Sequence, residues 1–272
     1  MNSARFIEKS KRMLTWEGRL LRNRFRRLLY KAPNHKFLFI LSPPHSGSTL
    51  LSEVLSLSEN VSENNPVGTR EGQQLPEVAP LLFRQSRRWE PDFKPDWPQI
   101  KRIWLKYWDV TRPVLLEKSP PNIVRAAELS IHFVPAFFIV LYRNPYAHCE
   151  GMMRRNKVSA REAARVSMRC LDFQRKNLEQ LDRVVRVSYE ELTDRPAEVL
   201  ERFKQLLPEL GDIRLEGQTF SAHNFLNRQM GLKNLNAQKI ERIPQSDLTV
   251  MNEVFRQHAE LLDYFGYVLI ED

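Results

Sequence analysis

Only two of the 272 residues are cysteine, Cys149 and Cys170, so a disulfide framework is excluded and reduced thiols in a cytoplasm-like compartment are expected. Glycine is scarce as well: nine glycines against seventeen prolines imply stiff connections between elements. No apolar run approaches the roughly 20 residues that span a bilayer, and arginines interrupt the N-terminal stretch too often for a secretory signal. Internal repeats and low-complexity segments are missing. No clustered His, Asp or Glu set shows metal-ligand spacing, so no metal is expected. What remains is an ordinary globular composition, 42% hydrophobic and 28% charged, long enough to bury one large core.

Acidic charge is short overall, giving a net charge of +9, but the imbalance is local. Residues 1–36 hold eleven Lys or Arg and two Glu, and the remaining chain holds 31 of each sign. A body of zero net charge argues against nucleic-acid binding. The excess sits in a basic N-terminal arm, 1–36, that reads as a helix over 13–31. Leu14, Leu21, Phe25 and Leu28 recur near one face, and Arg19, Arg22 and Arg26 lie on another. Two readings follow: contact with an anionic membrane or acidic partner, or docking on the protein's own core with a solvated basic face. The expected location is cytoplasmic, peripheral to a membrane under the first reading.

Residues 37–51 read FLFILSPPHSGSTLL, a short apolar strand, a tight turn and the start of a helix. The turn supplies backbone N–H groups from Ser46, Gly47, Ser48 and Thr49, and the helix start adds partial positive charge for an anion. The Gly-Lys-Ser/Thr ending of nucleoside-triphosphatase loops is missing, because His45 precedes Ser46. Such a loop can hold phosphate but lacks the usual equipment for hydrolysing a magnesium nucleotide.

Further strands are expected at 114–117, 136–141 and 184–187. AFFIVL at 136–141 is continuous in apolar residues, as a strand buried on both faces should be. Helices are expected over 48–58, 98–108, 120–131, 195–206 and 248–265, the last ending near Gly266, with a long, partly helical excursion at 59–95. The fold class is therefore α/β: a P-loop-type parallel sheet flanked by helices, one domain at 37–272 behind the arm. Ligands bind outside the carboxyl ends of such strands. Those ends carry the loop at 45–49, Lys118, Arg143 and Tyr189, which together suit a nucleotide with more than one phosphate.

In order, Pro44-His45-Ser46-Gly47-Ser48-Thr49-Leu50, Lys118-Ser119-Pro120, Arg143-Asn144-Pro145, Tyr189-Glu190-Glu191-Leu192 and Lys233-Asn234-Leu235-Asn236 resemble the sulfotransferases that use 3′-phosphoadenosine 5′-phosphosulfate. The resemblance covers about 37–265 and is closer to the carbohydrate and tyrosyl-protein type than to the cytosolic small-molecule type. It implies that Ser46, Gly47, Ser48 and Thr49 bind the 5′ end and Arg143 the 3′-phosphate. Tyr189 would lie near the adenine and Lys233 near the phosphates. Lys118 is the expected cation on the transferring group. Glu71 is the expected base, with Glu63 as its rival. Two positions depart from the family pattern. His45 stands where a Lys or Arg is usual, leaving a charge that depends on pH. Gly151 stands eight beyond Arg143, where a Ser is usual, so the 3′-phosphate contact must fall to a backbone N–H or a neighbour such as His148.

The implied activity is in-line sulfuryl transfer to a hydroxyl acceptor, with carbohydrate the first expectation and lipid or peptide also open. Segment 59–108, with Arg70, Arg84, Arg87, Arg88, Trp89, Trp97, Trp104 and Trp108, is expected to line the acceptor site. The alternatives are an inactive sulfotransferase-like binding protein and a phosphoryl-transfer P-loop enzyme.

Overall fold

The computed structural model describes residues 3–221 and 230–271. Five parallel strands, β1 (Lys36–Leu41), β2 (Val61–Glu63), β3 (Val114–Lys118), β4 (Ala136–Tyr142) and β5 (Val184–Ser188), form one sheet in the order β2-β3-β1-β4-β5. The described helices are α1 (Ser3–Leu29), α2 (Ser48–Leu55), α3 (Trp97–Tyr107), α4 (Ala126–His132), α5 (Pro145–Asn156), α6 (Ala160–Gln180), α7 (Tyr189–Asp194), α8 (Pro196–Leu206), α9 (Asn236–Ile240), α10 (Gln245–Arg256) and α11 (Ala259–Phe265). The α/β class expected from the strand pattern is the one observed.

Alternation along β1 divides the core. Phe37, Phe39 and Leu41 pack with Trp97, Trp104, Phe133 and Phe138 on one face. Leu38 and Ile40 pack with Leu50, Leu51, Val54 and Phe203 on the other. Because β1 lies between β3 and β4, the chain leaves it in both directions, and the carboxyl ends of these strands open a crevice. Buried Gln174 of α6 stitches the crevice floor, donating to the Leu41 carbonyl at 2.7 Å and the Leu141 carbonyl at 2.9 Å. Both cysteines are buried thiols on α5 and α6, and burial pushes Cys170 up to about 12.

Several boundaries differ from the sequence expectation. The 59–95 excursion contributes edge strand β2, whose three residues are too few for a periodic signal. The 120–131 helix divides into a 3-10 turn, Pro120–Val124, and α4, because Arg125 breaks the helical backbone at φ −135. The 248–265 helix likewise begins earlier and splits at His258, φ −127, into α10 and α11; Gly266 then ends it in the left-handed conformation.

Candidate active site

At the end of β1 the chain turns through His45, φ 62, and Gly47, φ 94, before α2 begins at Ser48. Gly47 is required twice: by its left-handed backbone, and because a Cβ there would lie 2.6 Å from the Tyr189 ring. The α2 amide groups thus open toward the crevice. His45 Nε2 sits 3.0 Å from Asn156 Oδ1. Burial, helped by Arg155, Lys239 and Arg154, holds the His45 imidazole below its ordinary 6.5, so the loop itself carries no fixed side-chain charge at neutral pH. The buried Ser46 hydroxyl has no protein partner.

Lys118 is the last residue of β3, so its ammonium emerges at the crevice although the side chain is buried. It donates to Thr49 Oγ1 at 3.3 Å and to the Thr69 carbonyl, and lies 3.8 Å from Glu71 Oε1. Burial lowers its pKa, while Glu71 and then Glu117 oppose that shift. The other Glu71 oxygen accepts from Gln73 at 2.6 Å and Gln74 at 3.1 Å. Behind this pair, fully buried Glu117 accepts from Ser119 Oγ at 2.5 Å, the Gly72 amide at 3.2 Å and Asn122. Desolvation nonetheless raises Glu117 to about 7. A Cβ at Gly72 would meet Glu117 Oε1 at 2.8 Å and the Asn64 amide at 2.5 Å, so glycine lets the loop bearing Glu71 seat against β3.

Across the crevice, Arg143 follows β4. Its guanidinium stacks on the Tyr189 ring, 3.7 Å from the centroid. Nε donates to Asn236 Oδ1 at 2.7 Å and Nη1 to the His45 carbonyl at 3.3 Å, while buried Nη2 has no protein partner. Glu190 fixes this arrangement by accepting from the Asn144 amide at 2.9 Å, from Tyr267 at 3.1 Å and from Asn236. The Tyr-Glu-Glu-Leu run also has a local reason: Ser188 caps α7 and Glu191 reciprocates in a capping box.

A cleft of about 170 Å³ joins these groups. Of the residues singled out in the sequence, His45, Gly47, Ser48, Thr49, Glu71, Lys118, Arg143, Gly151 and Tyr189 line it. Ser46 and Lys233 do not. Lys233 is exposed, and its carbonyl accepts from the Tyr189 hydroxyl at 2.9 Å. Lys239 of α9 does line the cleft, as do Arg154 and Arg155, and it is buried against the Ala147 carbonyl at 3.0 Å and Glu150 at 3.2 Å. Burial, then Arg143, lowers it to about 8. A Cβ on Gly151 would come 2.9 Å from His45 Cβ and 3.0 Å from Lys239 Nζ, so the missing serine makes room for Lys239.

His148 does not reach the cleft. It is buried with Nδ1 3.0 Å from Ser167 Oγ, and burial lowers it to about 3. Glu63 is likewise outside the lining, held by Arg70 at 2.8 Å. The expected acceptor lining needs correction too. Trp97, Trp104 and Trp108 are core residues whose indole N–H groups donate to Glu128 at 2.8 Å, the Gly72 carbonyl at 3.2 Å and the Leu116 carbonyl at 2.8 Å. Segment 59–108 reaches the cleft through Thr69 and Glu71. Among the described residues, no group of three or more His, Cys, Asp or Glu side chains is placed to hold a metal ion.

Against known proteins, residues 38–207 match the model of the Sulfotransferase family. The fold is shared with the sulfotransferase domain of the curacin biosynthetic pathway, 19% identical over 88% of this chain and 100% of that one, TM-score 0.51. The sulfotransferase domain of the Synechococcus PCC 7002 olefin synthase is 22% identical over 89% and 98%, TM-score 0.52. Sulfotransferase STF9 from Mycobacterium avium is 16% identical over 88% and 79%, TM-score 0.50. No curated protein matches the sequence.

Proposed function

The chain belongs to the sulfotransferase family, and on that premise we propose that it transfers a sulfuryl group from 3′-phosphoadenosine 5′-phosphosulfate to a hydroxyl acceptor. The observation that carries the donor assignment is Arg143. Its guanidinium is buried, held on three sides, and retains one N–H without a protein partner. A buried donor of that kind is costly unless an anion satisfies it, and Lys239 adds a second cation to the same end of the cleft. The turn at the start of α2 lines the same cleft and offers backbone amides as a further anion cradle. Two anion sites in one cleft fit a nucleotide phosphorylated at both its 3′ and 5′ positions.

The donor supplies an activated sulfuryl group: the acceptor oxygen–sulfur bond forms as the bond from sulfur to the 5′-phosphate oxygen breaks, leaving adenosine 3′,5′-bisphosphate. Glu71 takes the acceptor hydroxyl proton, its carboxylate aimed by Gln73 and Gln74. Lys118 neutralises charge developing on the breaking bridge, and its burial strengthens that interaction. Thr49 and the Thr69 carbonyl hold the ammonium in place. With Trp97, Trp104 and Trp108 in the core, their support for a carbohydrate falls away and the acceptor reading widens to a hydroxyl compound that reaches Thr69 and Glu71.

The test is turnover of isotopically labelled donor with a panel of hydroxyl acceptors. Glu71→Gln is expected to lower turnover by about 10²- to 10⁴-fold, the usual worth of a general base, with binding of adenosine 3′,5′-bisphosphate unchanged. Unaltered turnover in that variant would remove Glu71 from the reaction.

A further inference from the structure

Helix α1 is docked the wrong way round for an ordinary amphipathic helix. Polar side chains make most of its attachment to the body, beside Trp16 and Leu20, which pack partly buried against the core. Asn23 donates to the carbonyls of Tyr107 at 2.8 Å and Trp108 at 3.0 Å. Arg19 donates to the Tyr107 carbonyl at 2.6 Å and to the Glu63 carbonyl. Arg26 pairs with Asp109, and Trp16 donates to Asn65 at 3.1 Å. These residues occupy one side of the helix.

Leu14, Leu21, Phe25 and Leu28 fall within roughly 60° of arc on the opposite side at 3.6 residues per turn. They are 58–78% exposed. A docked helix that presents leucines and phenylalanine outward has a second surface to meet. Exposed Arg22 and Arg24 flank the stripe and Arg27 lies further round the helix, and the arm holds all of the chain's excess positive charge while the body is neutral.

We propose that α1 is a docking surface for an anionic lipid bilayer, with the apolar stripe entering the interface and the flanking arginines meeting lipid phosphates. The juxtaposition of basic and apolar side chains selects this occupant over a second copy of the chain, whose arm would bring like charge against like. The stripe is not long or continuous enough to cross: no described helix meets that requirement. The helix therefore lies along the surface, and the inward polar contacts keep the body attached to it. This inference is independent of the donor and acceptor assignments.

The experiment is co-sedimentation of the full chain with vesicles of equal parts phosphatidylglycerol and phosphatidylcholine, and with phosphatidylcholine alone. The wild-type chain is expected to partition to the anionic vesicles at low salt, and at least roughly tenfold less to neutral vesicles or at high salt, where screening shortens the reach of the arginines. Two triple variants separate the contributions. Leu21→Ser/Phe25→Ser/Leu28→Ser, all exposed and away from the polar docking contacts, is expected to lose at least tenfold in partitioning with unchanged circular dichroism and melting temperature. Arg22→Gln/Arg24→Gln/Arg27→Gln is expected to lose the preference for anionic lipid. Failure of the wild-type chain to bind anionic vesicles, or equal binding by the serine variant, overturns the proposal. So does a lipid-free dimer that the serine variant abolishes, which would make a second copy the occupant.

Discussion

On the β3 rim of the cleft, Lys118 lies 3.8 Å from Glu71, so opposite charges share one desolvated corner. On the β4 rim, Arg143 and Lys239 bring two cations together, with Glu150 pairing only the second. The first arrangement can accept a proton on one side and neutralise a leaving oxygen on the other. The second has positive charge in excess and is rigid, since Tyr189, Asn236 and the His45 carbonyl fix the guanidinium. Under the proposed function, the contrast gives chemistry to one rim and recognition to the other. It also explains how a loop with a neutral His45 can still belong to an anion site: the fixed charge has moved to the side chains around it.

The largest break in that contrast is expected from Arg143→Met, which removes the buried charge and leaves the Asn236 oxygen unpaired. Affinity for adenosine 3′,5′-bisphosphate should fall about 100-fold, in the range of about 2–5 kcal/mol for truncating one member of a buried hydrogen-bonded charge pair, while affinity for AMP changes little. Equal losses for both nucleotides, measured by titration calorimetry, would detach Arg143 from the 3′-phosphate.

A smaller effect separates Lys239 from Arg143. Lysine with a pKa of about 8 is charged below that pH and neutral above it. Bisphosphate affinity should therefore be highest below pH 8 and weaken above it, at most about tenfold per pH unit for one proton. Lys239→Arg should flatten this dependence because guanidinium stays charged. A slope unchanged in that variant would assign the titration elsewhere. His45, held below 6.5, should add no gain in affinity between pH 8 and pH 7.

Smallest in its effect on nucleotide affinity is Gly151→Ser, which installs the residue usual in the family. Its Cβ would crowd His45 and Lys239, so a destabilisation of about 1–3 kcal/mol from overpacking is expected in thermal unfolding, with weaker nucleotide binding. Tighter binding would show that Lys239 does not fill the serine's role.

Much of this was legible in the residues. β1 and β4 announce themselves as unbroken apolar runs, and because sites in parallel sheets lie past strand ends, Lys118, Arg143 and Tyr189 could be placed before any coordinates. Lys239 could not. It sits 96 residues past Arg143 in a five-residue helix without a motif, and the sole hint was Gly151, whose missing hydroxyl pointed to some substitute contact but not to which residue makes it. The tryptophans show the opposite failure. Trp97, Ile100, Trp104 and Tyr107 follow helical spacing, a core signal present in the sequence, but nearby arginines suggested a binding surface. For the arm, periodicity separated the two faces correctly yet said nothing about which faces outward, because only the polar carbonyls and Asp109 at the docking site decide that.

The proposed donor requires the cleft to prefer a nucleotide phosphorylated at both ends, and titration calorimetry of the wild-type protein with adenosine 3′,5′-bisphosphate and AMP measures that preference. The two-site cleft predicts binding of the bisphosphate at least tenfold tighter than AMP, about 1.4 kcal/mol or more. Equal affinity for the two would contradict it.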